Sequence, residues 1–521
     1  MALQVVWTPY GRAAAEALRT AIADAKAGDP LAPVTVVVPS NHVGVAARRL
    51  LASGALGPVT STGVGIAAVT FVTPYRLGEL LGAAALAAAG KRPVSTPLLA
   101  AAVRAELTAD PGLFEPVAVH PATEAALVAT YRELRDASPA ALDALAATSP
   151  RAGEVVRLHR AVRARLAPDW SDEEDLLATA AAHAGTAAAR ELGAVVVHLP
   201  QRLSQHAAGL LRALAEHLPT TVVAGTTGIP AADAEVSRSL ERLGVDGTPP
   251  AGVGRPTPVS PTTTQVVTAS DADEEVRAAV RTVVDAVRAG TRLDRIAVLH
   301  ATPEPYARLA HDQLHAAGIP TNGAAVVPLA GRVAGRALLE LLALPDSGYR
   351  RQDVLAWLSS GPVLFEGRWA PVAAWERISR EAAVVAGREQ WDERLETFAA
   401  QEERQAADAE ADEEQPVWLA ERARAQAERA RALRRFVLRA IDDLTRAATE
   451  PRPWSEHAAW AERWMHDLLG PATRRTGWPE PERKAAERIE GALRRLAALD
   501  GVEGPVHLDV FARTLAVELE A

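Results

Sequence analysis

The chain has 521 residues, of which 48% are hydrophobic and 23% are charged, so its composition is ordinary for a globular protein and its length is too great for one core. The formal net charge of −9 provides no global positive field for nucleic acid, so any DNA contact must come from a local patch. The absence of cysteine excludes disulfides, cysteine metal sites and a cysteine nucleophile. No signal-peptide pattern and no run of about 18 apolar residues occurs, which predicts a cytoplasmic protein without a membrane partner.

Residues 3–22 indicate an apolar strand, a Pro/Gly turn and an alanine-rich helix, which is where a nucleotide-binding domain carries its phosphate loop. In a working G-x-x-x-x-G-K-[ST] loop, backbone N–H groups hold the phosphates, the Lys reaches the outer phosphates and the hydroxyl holds Mg²⁺. The aligned residues here suggest a degenerate nucleotide-binding loop without that chemistry: Thr8, Gly11, Arg12, Ala13, Ala14 and Ala15, with the three alanines in place of Gly-Lys-Thr. An ordinary turn between a strand and a helix is the simpler alternative.

Further along the first half, strands and helices alternate. Residues 33–39 and 66–72 are rich in β-branched residues, as are 194–199 and 220–225, and helical patterns follow them. Between these pairs, residues 97–190 show only helical periodicity. The first 230 residues therefore predict an α/β fold with a parallel sheet and a helical insertion.

A second α/β segment is predicted after a Pro-, Gly- and Thr-rich linker at 244–264. Residues 265–269 and 295–299 have the composition of strands, and 274–288 and 306–317 have the periodicity of helices. The chain from 332 onward is almost entirely helical in pattern. Four tryptophans near the C-terminus are expected to pack in the core: Trp454, Trp460, Trp464 and Trp478.

No stretch of the sequence offers a complete catalytic constellation. The strand at 194–199 is followed by Pro200 and Gln201, so it presents no carboxylate for Mg²⁺ or water. Residues 171–174 match the capping box S-x-x-E, and we interpret these acids as a helix start. Residues 63–66 are half of a dinucleotide fingerprint in the wrong place, before a strand. A basic stripe at 151–165, which includes His159, fits a solvated helix face better than phosphate contact.

Several stretches resemble the helicase-like half of the AddB/RexB family, which are subunits of bacterial helicase–nucleases that resect DNA double-strand breaks. Residues 267–277, 293–299, 305–306 and 318–320 look like the opening of the second RecA-like domain of UvrD-type helicases. Two further stretches, 38–41 and 69–71, resemble motifs Ia and Ib, which touch single-stranded DNA in active relatives. Residues 194–225 resemble the Walker B and motif III segments without their acids. Three stretches look like the helical 2B-type insertion: 375–380, 391–395 and 478–480.

The resemblance implies two RecA-like parallel-sheet domains, the second incomplete, with large all-helical insertions. The expected organisation is a 1A-type domain at 1–243 with a 1B-type insertion at about 97–190, a linker at 244–264, the start of a 2A-type domain at 265–345, and a 2B-type insertion at 346–521. Family members continue into a PD-(D/E)XK nuclease that nothing here matches. We therefore expect this chain to be the N-terminal part of a longer protein.

The function implied is a helicase-like, ATPase-inactive module of DNA recombination and double-strand-break repair. It would bind single-stranded or forked DNA beside an AddA/RecB-type helicase–nuclease subunit. The expected DNA contacts are Ser40, Asn41, Thr70 and Phe71, with polar strand-end groups for phosphates and one ring for a base. Helix capping or sheet packing is the alternative role for each residue.

We expect no cofactor. Two other functions stay open: an active ATP-dependent helicase with an atypical phosphate loop, which would need ATP and Mg²⁺, and a scaffold that docks a partner without touching DNA.

Overall fold

The computed structural model describes residues 3–58, 66–253, 265–302, 305–322, 327–412 and 414–520. The chain divides into two compact units, Met1–Thr262 and Thr263–Ala521. Within the described residues, no helix has both the length and the apolar composition needed to cross a bilayer.

The first unit is built on short, mostly β-branched strands separated by helices. Its strands are β1 (Gln4–Pro9), β2 (Val34–Val37), β3 (Val69–Val72), β4 (Arg92–Pro93), β5 (Trp170–Ser171), β6 (Ala194–His198) and β7 (Thr220–Thr226). Its α-helices are α1 (Arg12–Lys26), α2 (Asn41–Ala52), α3 (Pro74–Ala88), α4 (Thr96–Ala109), α5 (Pro121–Leu134), α6 (Pro139–Ala146), α7 (Pro150–Leu166), α8 (Glu173–Ala182), α9 (Ala187–Arg190), α10 (Gln205–His217) and α11 (Pro230–Arg242), with a 3₁₀ helix at Gly112–Val117.

Five of these strands form one parallel sheet in the order β1-β7-β6-β2-β3. Alternate strand residues enter two cores: α1 and α2 cover one face, while α3, α8, α10 and α11 cover the other. Burial on both faces explains the near-continuous apolar runs of the central strands. The prediction of an α/β fold with a parallel sheet interrupted by a helical segment is confirmed.

Three details of the first unit differ from the sequence-based expectations. β4, just before the segment predicted to be wholly helical, forms a two-residue parallel pair with β5, which lies within that segment. The capping box begins one residue later than predicted, because Asp172 rather than Ser171 is the N-cap of α8 and exchanges hydrogen bonds with Asp175. The third strand begins at Val69, and residues 63–65 of the half fingerprint lie outside the described residues.

The second unit begins with two helices, α12 (Ala272–Arg288) and α13 (Tyr306–Ala316), as predicted, separated by a 3₁₀ turn at Leu293–Arg295. The predicted strands at 265–269 and 295–299 are wrong: Arg295 ends the 3₁₀ turn, and the other residues of both stretches have no strand pairing among the described residues. Ile296 packs on the two helices, whereas Val266 and Leu299 are exposed. Two short segments do not make a stable sheet without further strands. A second RecA-like domain is therefore not confirmed.

The rest of the second unit is helical, as its periodicity predicts. It contains α14 (Val333–Ala343), α15 (Arg351–Ser359), α16 (Val372–Glu381), α17 (Arg388–Ala411), α18 (Val417–Thr449), α19 (Trp454–Leu469), α20 (Glu480–Ala497) and α21 (Leu508–Glu520), with 3₁₀ turns at Leu329–Gly331, Arg475–Gly477 and Ala498–Gly501. One antiparallel hairpin interrupts the helices, β8 (Leu364–Phe365) with β9 (Arg368–Trp369). Trp454, Trp460 and Trp464 are buried in the core, as predicted, and Trp478 is half-buried.

Candidate functional site at the carboxyl edge of the sheet

The loops that follow the five parallel strands meet at one edge of the sheet. β1 leads into α1 on one face, and its neighbour β7 leads into α11 on the other face. Adjacent strands whose connections leave in opposite directions open a crevice, and α/β proteins bind ligands in such crevices. A nucleotide would therefore be expected to bind at the edge between β1 and β7.

The connection between β1 and α1 is too short to surround a phosphate. Only Tyr10 and Gly11 lie between Pro9 and the first helical residue, Arg12. Gly11 has φ +87°, a left-handed conformation that lets the chain turn directly into the helix. A phosphate loop needs several successive free N–H groups in a wide loop, and this turn does not provide that loop.

The other aligned residues of the degenerate loop serve the fold. Thr8 is buried at the end of β1, and its hydroxyl donates to the carbonyl of Pro9 at 3.2 Å. Ala13, Ala14 and Ala15 already belong to the first turn of α1, and Ala14 is buried. Arg12 points to a carboxylate of its own helix, donating to Glu16 at 2.7 Å. ATP with Mg²⁺ does not fit these residues.

The side chain of Tyr10 lies across the crevice. A Cβ on Gly225 of β7 would lie 2.5 Å from Tyr10 Cε1 and 2.9 Å from Leu199 Cδ2, so only glycine allows the ring this close to the strand. The Tyr10 hydroxyl is hydrogen-bonded to Gln201, in the loop that follows β6. Burial and the nearby charge of Asp233 raise the pKa of Tyr10, so the phenol stays neutral at pH 7. Tyr10 thus connects the loop that follows β1 with the loop that follows β6, and its ring packs against β7.

A carboxylate already fills the loop that follows β7. Asp233, in the first turn of α11, is 3% exposed. Its Oδ1 accepts from the backbone N–H and the hydroxyl of Thr227, both at 2.8 Å, and its Oδ2 accepts from the Thr226 hydroxyl at 2.7 Å and the Gly228 N–H at 3.0 Å. These donors lower the pKa of Asp233 despite its burial. The loop holds an internal anion and leaves no oxygen of Asp233 for a metal.

The last residue of β6 is a buried histidine. His198 is 5% exposed and its Nδ1 has no hydrogen-bond partner among the described residues. Burial lowers its pKa to about 4, so the imidazole is neutral at pH 7. A neutral ring at the strand end offers neither the negative charge nor the oxygen ligands that Mg²⁺ prefers.

Three of the four expected DNA contacts lie close together, around the start of α2. The Ser40 hydroxyl accepts from the Val43 N–H as the N-cap, and Asn41 is exposed beside it. Phe71 of β3 packs one turn away, because a Cβ on Gly44 would lie 3.2 Å from its Cβ. Thr70 is exposed and belongs to the other face of the sheet, since Phe71 joins the core under α2 and neighbouring residues alternate.

The outer surface of α2 carries no acidic residue and mixes polar side chains with the exposed Val45 and Leu50. His42, Arg48 and Arg49 are exposed on it, and the two arginines make no ion pair within the described part of the chain. Positive side chains and a helix N-terminus on one element favour phosphate contacts.

The basic stripe of the helical insertion does not form a free cationic surface. His159 is buried rather than solvated, which corrects the sequence interpretation, and burial with nearby arginines lowers its pKa to about 4. Arg157 is paired with Asp110 at 2.9 Å and Arg160 with Asp143 at 2.5 Å. Arg165 is likewise paired with Glu106 at 2.6 Å, so three of the five arginines of the stripe are neutralised by carboxylates.

Across the described ranges, no three His, Asp or Glu side chains are grouped in a way that could hold a metal ion. The residues that sequence reasoning missed are Tyr10, His198 and Asp233. No family model matches the chain, and no curated protein matches it either.

Proposed function

We propose that the first unit is a helicase-like module that binds single-stranded DNA and does not hydrolyse ATP. The absence of ATP hydrolysis is supported by the two-residue turn between β1 and α1. The side chain of Tyr10, one of the two turn residues, lies across the crevice. ATP hydrolysis needs a phosphate loop, a metal-holding hydroxyl and a carboxylate together. The turn, the internally bound Asp233 and the neutral His198 provide none of the three.

DNA binding is supported by the surface of α2. Its first turn brings exposed Asn41 to the carboxyl edge of the sheet, and Arg48 and Arg49 are exposed in the second half of the same helix. The side-chain amide of Asn41 and the guanidinium groups of Arg48 and Arg49 can donate hydrogen bonds to phosphate oxygens. Ser40 acts through its cap, and Phe71 supports the helix from beneath.

The proposed protein family and the proposed partner rest on the sequence resemblance. We propose that the sheet unit is a RecA-like domain of the AddB/RexB type with a 1B-type insertion, and that its partner is an AddA/RecB-type helicase–nuclease in double-strand-break repair. Helices α12 and α13 match the expected start of a second RecA-like domain, whereas no sheet accompanies them among the described residues. That part of the proposal is supported by sequence motifs alone.

The experiment is a fluorescence anisotropy titration of a labelled 15-nucleotide oligothymidine with the full chain at several salt concentrations. We expect binding that weakens steeply with salt, with a slope of about −0.7 per phosphate contact on logarithmic axes. Arg48→Gln or Arg49→Gln should each make the slope shallower by about 0.7.

The matched control is Arg238→Gln, an exposed arginine on α11 that is paired with Glu235. Its salt slope should equal that of the wild type. Absence of binding to single-stranded and forked DNA would contradict the proposal, and capture of an AddA/RecB-type subunit without DNA affinity would support the scaffold alternative.

A further inference from the structure

The β8–β9 hairpin of the second unit presents an exposed tryptophan. Leu364 pairs with Trp369 across the hairpin, and the two turn residues, Glu366 and Gly367, have φ of +48° and +76°. That left-handed pair is the geometry of a two-residue type I′ turn. Trp369 is 64% exposed, although an indole ring gains more than most side chains from burial. An exposed ring on an ordered hairpin is therefore a candidate contact surface.

The base of the hairpin is anchored by aromatic packing. Phe365 packs edge-on against Trp375 and Phe436, with ring centroids 5.6 and 5.7 Å apart. The N–H of Ala370 donates to the carbonyl of Val363 at 2.9 Å and closes the hairpin at its open end. Trp369 is thus held on a fixed backbone, so binding through its ring orders no further backbone.

Two arginines with available charge lie at the hairpin. Arg368 pairs with Phe365 across the hairpin and extends from the face opposite Trp369, because neighbouring strand residues alternate. Arg474 donates from Nη1 to the carbonyl of Gly367, two residues before Trp369, at 3.0 Å. Neither arginine has a carboxylate partner in the described ranges of the chain. By contrast, the nearby Arg435 is neutralised by carboxylates on both sides, Glu366 at 3.6 Å and Glu428 at 3.2 Å.

We propose that this hairpin is a stacking platform for one base of a single-stranded nucleic acid, with Arg474 binding an adjacent phosphate. An aromatic ring beside cationic groups is the combination with which proteins bind single strands without sequence preference. The inference rests on the proposed function and adds a contact in the other unit of the chain.

The surroundings of the ring favour nucleic acid over a protein partner. A protein anchor normally lies at the centre of an apolar patch, whereas the exposed residues that precede Trp369 are charged or glycine. Trp418, at the start of α18, provides the contrast: it is 55% exposed and follows the exposed Val417. Trp418 is therefore a matched control of similar exposure in a different chemical setting.

The test uses the full chain and the same oligothymidine titration. Trp369→Ala should weaken binding by about 5- to 150-fold, the range for loss of one stacked base. Trp369→Phe should recover most of the affinity, because a phenyl ring still stacks. Trp418→Ala should change the affinity less than twofold. Arg474→Gln should make the salt slope shallower by about 0.7. Circular dichroism melts of all four variants check that each is folded.

The outcomes separate this inference from the proposed function. Unchanged affinity of Trp369→Ala, with Arg48→Gln still weakening binding, would overturn the hairpin contact and leave the α2 contact in place. Equal losses for Trp369→Ala and Trp418→Ala would also overturn it, because the effect would not be specific to the hairpin. Absence of oligothymidine binding by the wild-type chain would overturn both proposals.

Discussion

Replacing Asp233 by asparagine tests whether the crevice beside β7 is closed by an internal anion. The carboxylate accepts from four donors: each oxygen serves one backbone N–H and one threonine hydroxyl, and the Thr227 N–H is shared with Oδ2 at 3.2 Å. An asparagine has one acceptor oxygen, so its amide NH₂ must face the other pair of donors. The threonine hydroxyl of that pair can rotate to accept, whereas the backbone N–H cannot.

The magnitude follows from these contacts. One buried N–H without a partner costs about 1–3 kcal/mol, and the two bonds that remain lose their charge-assisted strength. We expect Asp233→Asn to lower the free energy of unfolding of the first unit by about 3 kcal/mol. For a unit of this size, that corresponds to a fall in Tm of about 6–12 °C.

Differential scanning calorimetry of the full chain measures this shift. Only one unfolding transition should move, because Asp233 lies in one of the two compact units. The control is Asp246→Asn, whose carboxylate accepts from the Thr248 N–H at 2.8 Å at the surface and should leave Tm unchanged. Asp233 has a lowered pKa, so its stabilisation is present above the normal aspartate pKa and is lost as the pH falls through the folded value. A shift no larger than that of the control would refute the closed-crevice interpretation.

Two further predictions concern buried ionisable groups. His198 is neutral in the fold, with a pKa of about 4 against an ordinary 6.5, so the free energy of unfolding is unaffected by this group above pH 6.5 and falls between pH 6.5 and 4. In urea unfolding between pH 7.5 and 5, the wild type should lose about 2 kcal/mol more of that free energy than His198→Leu. Arg135 is 5% exposed and binds Asp172 and Asp175, so Arg135→Gln should cost about 3–5 kcal/mol in the same assay, while equal stability of the variant would contradict a buried ion pair.

The parallel sheet could be predicted because its signal is local. β2, β6 and β7 each contain an unbroken run of three or four β-branched residues, and buried parallel strands need little else in the sequence. The segments at 265–269 and 295–299 show similar composition, but a strand also needs a partner. Pairing is not encoded within five residues, which is why those two predictions failed.

The closure of the crevice could not be predicted for a related reason. Tyr10 and Gly225 are distant in the chain and meet only when β1 pairs with β7. The strand, the Pro/Gly turn and the alanine-rich helix of residues 3–22 were predicted correctly, because alanines favour helix and α1 begins at Arg12. The burial of His159 did have a signal, because Val156, Val162 and Leu166 recur at helical spacing around it.

The most direct test of an ATPase-silent sheet is a titration of the full chain with a fluorescent ATP analogue in the presence of Mg²⁺, with and without oligothymidine. We expect no saturable nucleotide binding at micromolar concentrations and no change in DNA affinity when ATP is added. Micromolar, magnesium-dependent binding that alters the affinity for single-stranded DNA would contradict the closed crevice and favour an active motor.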